Sequence, residues 1–300
     1  MAQSPSHRLG QIIGGFLEEL VLPLLEAFCR RHSQEGAEQA LYLDKKGPRL
    51  ARSGQKLRWH DTYGNAHDLD FVIERGGTQD KIGHPVAFIE AAWRRYPKHS
   101  KNKVQEIQGA VLPIAEKYAW DCPFMGAFLA GVFTEPAIEQ MESVGFSISL
   151  FPYDTIVDAF SLVGVDVRFD EETADTRFSD MVTRIESLGA NERAAVQERL
   201  LSLNKSQVDA FFSALDKALG KSIDRLYLIP LHGRTYEFRT TDEMVSFVRQ
   251  YEGDAANTPL VKYEVFVKYT NGSEIRSQFY EKDEIYAFLD YISKSISTVA

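Results

Sequence analysis

Apolar side chains recur three to four positions apart at Ile13, Phe16, Leu17, Leu20, Val21, Leu24, Leu25 and Phe28. This spacing predicts an amphipathic helix over residues 9–32, with Pro23 placed to kink it. A polar stretch with Gly36, Gly47 and Pro48 follows, and then WHDTYGNAHDLDFVIE, whose end from Leu69 to Glu74 mixes apolar and β-branched residues as a strand does. Arg75 to His84 reads as a turn, and Pro85 to Trp93 is a near-continuous apolar run of strand length, so the two runs predict a β-hairpin. Helical spacing returns from Lys101 to Tyr118, and Phe124 to Phe133 is apolar almost throughout, as a central buried strand requires. Helices are predicted at 136–144 and 153–162, around a strand at 146–151. The order describes an α/β layer structure with a mixed sheet flanked by helices.

Strand signals disappear over residues 177–221, where helical periodicity predicts two or three helices. The last part repeats itself. Asp242, Glu243 and Phe247 recur 41 positions later at Asp283, Glu284 and Phe288, and Asn271-Gly272 is a hairpin-turn signal. Each copy reads strand, turn, strand, helix. The predicted division is an α/β domain over 1–175, a helical linker or subdomain over 176–222, and an α+β domain of two strand-strand-helix repeats over 223–300, pairing as one four-stranded sheet backed by two helices.

The composition, 44% hydrophobic and 26% charged over 300 residues, excludes fibrous and globally disordered classes. No run approaches the ~18–20 apolar residues of a membrane span, and the opening MAQSPSHRLGQ has no signal-peptide pattern, so a cytoplasmic chain with no membrane contact is expected. Two cysteines, Cys29 and Cys122, make neither a disulfide framework nor a cysteine zinc site. The net charge of −9 is regional: residues 1–118 carry 17 Lys and Arg against 14 Asp and Glu, and the remainder 17 against 29. Arg94, Arg95, Lys98, Lys101 and Lys103 fall within ten residues without an acid, a local attraction for phosphate on an acidic protein.

Asp70 in the first strand of the predicted hairpin and Glu90 in the second bring two carboxylates onto adjoining strands. Hard oxygen ligands so placed suit Mg²⁺, and carboxylates within apolar strands are costly unless paired or metal-bound. Zinc-hydrolase HExxH, GxSxG, Walker and dinucleotide-binding patterns do not occur. The acid-rich run from Asp166 to Asp175 fails the EF-hand spacing and reads as a solvated connector.

The leading helix GGFLEELVLPLLEAF, the strands HDLDFVIE and AFIEAAWRR, the basic helix KNKVQEIQGAVLPIAEKY and the strand GAFLAGVF, in that order, resemble the core of the PD-(D/E)xK nuclease superfamily, the fold of many type II restriction endonucleases. The resemblance covers roughly residues 10–170. It implies a restriction-endonuclease-like sheet, Asp70 and Glu90 as metal ligands beside the Ala91 carbonyl, and Glu18 as a supporting acid, with Glu19 the competing choice. It implies Mg²⁺, with Mn²⁺ as a substitute, and hydrolysis of DNA phosphodiesters in restriction or defence against foreign DNA. The superfamily pattern puts lysine at position 92, where this chain has Ala92. In some members the cation comes from the following helix, which designates Lys103, favoured for its place before Gln105 and Glu106, or Lys101 here; in the alternative the domain is a catalytically inactive module that binds DNA or a partner protein. Arg94, Arg95, Lys98 and Gln105 are the candidate DNA contacts. Cutting both strands of a duplex with one site per chain suits a homodimer, and the acidic segment 223–300 suits contact with a protein partner.

Overall fold

The computed structural model describes residues 4–33, 40–97, 100–231, 234–251 and 262–296. Two compact units emerge from the chain, one of residues 1–117 and 124–214 and the other of residues 118–123 and 215–300. The helical stretch 176–222 is thereby divided, its residues through Ala214 belonging with the first unit.

The first unit is mixed α/β. Helix α1 (Pro5–Arg31) starts at Ser4, whose hydroxyl accepts from the His7 N–H, and continues through Pro23 as one segment. Its apolar stripe, from Leu9 to Cys29, is buried. Strands β1 (Leu41–Lys45), β4 (Phe71–Arg75), β5 (His84–Arg94), β6 (Phe124–Gly131) and β7 (Phe146–Pro152) form one sheet in the order β1-β4-β5-β6-β7. The first two pairings are antiparallel and the last two parallel. Strands β2 (Leu57–His60) and β3 (Ala66–Leu69) make a separate antiparallel hairpin. The parallel pairs need crossovers, supplied by α2 (Ser100–Lys117) and α3 (Glu135–Glu142). These two helices share one flank of the sheet, where Gln108 and Gln140 hydrogen-bond to each other. Helices α1 and α4 (Tyr153–Ser161) share the other, where the rings of Phe16 and Phe160 lie 5.3 Å apart. Helices α5 (Asp175–Glu186), α6 (Ala190–Leu203) and α7 (Lys205–Leu219) follow.

The sequence pattern missed β1 and the β2–β3 hairpin. What pins β1 is buried charge. The Arg49 guanidinium donates to both Glu74 oxygens (2.7 and 2.9 Å), to Asp44 (2.6 Å), and to the carbonyls of Thr78 and Lys81. Gly83 N–H completes the Glu74 carboxylate at 2.7 Å, and a Cβ on Gly83 would stand 2.3 Å from the Gly77 nitrogen, so the turn closes only over glycine. Arg49→Met is expected to destabilise the fold by about 3–5 kcal/mol, because Glu74, wholly buried, loses its counter-charge. A urea midpoint lowered accordingly at unchanged m-value measures it; a shift below about 1 kcal/mol refutes the role.

The second unit has β8 (Ile223–Pro230), β9 (Tyr236–Phe238), α8 (Thr241–Gln250), β10 (Tyr263–Tyr269), β11 (Glu274–Phe279) and α9 (Lys282–Ile296). Its four strands are ordered β11-β10-β8-β9. Glu243 accepts from the backbone N–H groups of Arg239 and Thr240, and Glu284 from those of Tyr280 and Glu281, so both cap the start of the helix that follows. The stretch 118–123 contributes Trp120, whose ring lies 4.9 Å from that of Phe288, and Asp121, which accepts from the Tyr291 hydroxyl at 2.6 Å.

Candidate functional site

The antiparallel register of β4 and β5 pairs Phe71 with Ile89. One position further along, Asp70, at the bend between β3 and β4, stands opposite Glu90. The Asp70 N–H donates to Glu90 Oε1 at 3.3 Å, and Asp70 Oδ2 accepts from the Ala91 N–H at 2.9 Å. Glu90 is only 7% exposed. Burial, reinforced by the charge of Asp70, pushes the Glu90 carboxyl well above the ordinary carboxylate range. Burial likewise raises Asp70, opposed by the Ala91 hydrogen bond and by the charge of Lys103. Burial and mutual repulsion disfavour ionisation of both acids together, and a positive charge beside them would favour it.

Lys103, in the first turns of α2, is partly buried, whereas Lys101 is exposed. Its charge bears on both Asp70 and Glu90, and its Nζ donates to Glu106 at 2.7 Å. Lys101 is exposed, two positions and so about 200° away around the helix. Ala92 is buried and, two residues after Glu90 on the strand, lies on the same face. Glu18 is exposed on α1. Desolvation and then the charge of Asp70 raise its carboxyl, and Lys46 lowers it. Among the described residues no three His, Cys, Asp or Glu side chains converge closely enough to hold a metal alone. Two carboxylates alone are a donor set of the kind a hard divalent ion such as Mg²⁺ can take, since that ion keeps several of its waters.

The suggested DNA contacts separate. Arg94 donates to the Trp93 carbonyl at 2.8 Å and approaches Glu106 at 3.5 Å. The Arg95 guanidinium is caged, 4.3 Å from the ring centres of Tyr96 and Phe178 and 4.9 Å from that of Phe169, and reaches the Asp170 carbonyl at 3.3 Å. Gln105 is exposed on α2, and Lys98 lies outside the described residues. Sequence reasoning missed Lys46, whose charge reaches Asp70 and Glu18 from the end of β1. No motif spacing links residue 46 to residue 70, and only the pairing of β1 with β4 brings them together.

The raised carboxyls have a consequence for stability. A carboxyl raised in the folded state binds its proton more tightly there than in the unfolded chain, so the folded state loses stability as pH climbs above about 4.5. Glu90→Gln keeps the shape and the hydrogen-bonding capacity without the charge. In chelator its melting temperature is expected to exceed the native one at pH 8, with the gap closing toward pH 4. Millimolar Mg²⁺ should raise the native melting temperature and leave that of Glu90→Gln unmoved. Equal melting temperatures at pH 8 would remove the strained pair.

Compared with protein-family models, with curated proteins and with solved structures, the chain matches none of them. No helix among the described residues is long and apolar enough to cross a membrane.

Proposed function

We propose that this chain is a Mg²⁺-dependent endonuclease of duplex DNA, similar to the PD-(D/E)xK superfamily, acting in the cytoplasm in restriction or defence against foreign DNA. The observation that carries the reading is that Asp70, which stands at the bend before β4 rather than inside the strand the sequence predicts, faces Glu90 on β5, both carboxyls raised by burial, with the charge of Lys103 on each. Supporting it, the five segments of the resemblance fall in chain order on α1, the end of β3 with β4, β5, α2 and β6, and β4, β5 and β6 are neighbours in one sheet.

Asp70 ties one oxygen to the Ala91 N–H, which fixes the carboxylate and leaves the other oxygen for an ion. Glu90 supplies the second ligand, and Mn²⁺ would serve in place of Mg²⁺. When bound, the ion would activate a water molecule and offset charge developing on the phosphate. Lys103 takes the part for which Ala92 has no amine: it orients the attacking water and balances negative charge on the phosphoryl oxygens. Two chains would cut the two strands, and the units β8-β9-α8 and β10-β11-α9, read as copies of one another, would serve protein contact.

The test is purified protein incubated with supercoiled plasmid and phage DNA in Mg²⁺, Mn²⁺ or chelator and read on a gel. Metal-dependent nicks or fragments are expected. Intact DNA in every lane, with the same DNA retarded in a binding gel, overturns the enzyme reading. It would favour a binding module instead, to which Ala92 and the Lys103–Glu106 ion pair point.

A further inference from the structure

We propose that the β2–β3 hairpin, with the segment leading into it, is the surface that grips duplex DNA beside the Asp70–Glu90 pair; the inference rests on the nuclease reading for the identity of the polyanion. Residues 45–60, KKGPRLARSGQKLRWH, contain six Lys and Arg and no acid. Three are tied inward: Lys45 pairs with Glu26, Arg49 is buried, and Arg52 binds Asp44. Lys56 and Arg58 stand on the outside.

The hairpin is two-faced because its strands alternate. Leu57, Trp59 and Leu69 turn inward, Trp59 meeting Phe88 of β5 edge to face with ring centres 6.0 Å apart. The opposite face carries Arg58 and His60, cross-strand from Asp68 and Ala66. Lys117, from the end of α2, donates to the His60 carbonyl at 3.0 Å and adds a further cation. Arg52, Lys56, Arg58 and His60 line a recess of about 460 Å³. Lys56 and Arg58 share a single acid, Asp68, at 2.5 and 2.9 Å, so the outer face keeps a surplus of positive charge.

The tip is rigid. Asp61 accepts from the N–H groups of Tyr63 (2.8 Å) and Asn65 (2.9 Å), from the Asn65 side chain (2.9 Å), and contacts His67 at 3.1 Å. This turn holds Tyr63 79% exposed. The major groove of B-form DNA admits a two-stranded ribbon, and a basic outer face complements the phosphates on either side. Continuity of the chain supplies the last link: β3 ends at Leu69, and the next residue is Asp70. By contrast, the Arg94–Arg95 pair is engaged with Glu106, aromatic rings and a backbone carbonyl.

The experiment is fluorescence titration of a labelled 30-base-pair duplex with the full chain in chelator, repeated across salt concentrations. Lys56→Ala combined with Arg58→Ala is expected to weaken binding roughly tenfold per lost contact near ~0.1 M salt and to lower the log–log salt slope by about 2. Asp68→Asn, which releases both cations, is expected to bind several-fold tighter than the native chain, a gain that misfolding does not mimic. Arg199→Ala with Lys205→Ala, which removes as much charge elsewhere in the first unit, should change affinity less than threefold. The proposal is overturned by unchanged affinity and slope in the Lys56/Arg58 variant, by no gain in Asp68→Asn, or by no binding of the native chain to the duplex. Tighter binding to a single-stranded RNA of equal length overturns the choice of partner. Binding that depends on the hairpin, with no cutting in Mg²⁺, retains this surface and removes the nuclease reading instead.

Discussion

Asp70→Ala is expected to lose Mg²⁺-dependent strand scission by about a thousandfold or more while still binding duplex DNA in chelator. The size follows from what the carboxylate would do under the proposed function: a metal ligand supports several kcal/mol of transition-state charge stabilisation, and each 1.36 kcal/mol is tenfold in rate. Glu90 remains, yet a single buried carboxyl without its neighbour gives an ion little reason to leave water. The change also frees the Ala91 N–H that Asp70 had accepted, so Asp70→Asn serves as a control that keeps the shape. Metal-dependent rates on a linear duplex, measured beside the melting temperature, decide it: native cutting by a folded Asp70→Ala would sink the site.

Lys103→Ala should cost roughly a hundred- to thousandfold in kcat with KM little changed, the pattern of a group that acts on charge developing in the transition state. Its charge lowers both carboxyls in the folded chain, and only 16% of its side chain is exposed. Lys103→Arg should recover part of the loss, and Lys101→Ala should stay within about threefold of native because that side chain points to solvent. Equal losses in the Lys101 and Lys103 variants would mean that bulk positive charge, rather than one placed amine, matters. Measured after metal loading is saturated, the comparison separates the cation from the ligands.

The central elements of the first unit were legible because burial on both faces leaves a continuous apolar run, as in Phe124–Gly131, and amphipathic helices leave a stripe, as in α1. The β4–β5 hairpin was legible for the same reason, and with it the nearness of Asp70 to Glu90. Strand β1 was not. Its sequence LYLDK is short, and what buries Asp44 is an arginine five residues on, a residue type that reads as surface. Lys103 was favoured over Lys101 from its place ahead of Gln105 and Glu106, but how far each side chain is buried lies in tertiary packing and not in spacing. Arg94 and Arg95, adjacent in sequence and assigned one role, have different neighbours because successive residues at the end of a strand point apart.

The short stretch 118–123 was made early and is needed late. Trp120 and Asp121 leave the ribosome between α2 and β6, but the rings and hydroxyl they meet belong to Phe288 and Tyr291, near the end of the chain. At ordinary synthesis speeds the interval is roughly ten to thirty seconds. During it the first unit gains all of its strands while Trp120 still lacks the ring of Phe288. Nascent chains halted before β11 therefore lack the rings of Phe279, Phe288 and Tyr291 that Trp120 meets in the folded chain, and its emission should shift only as those residues arrive.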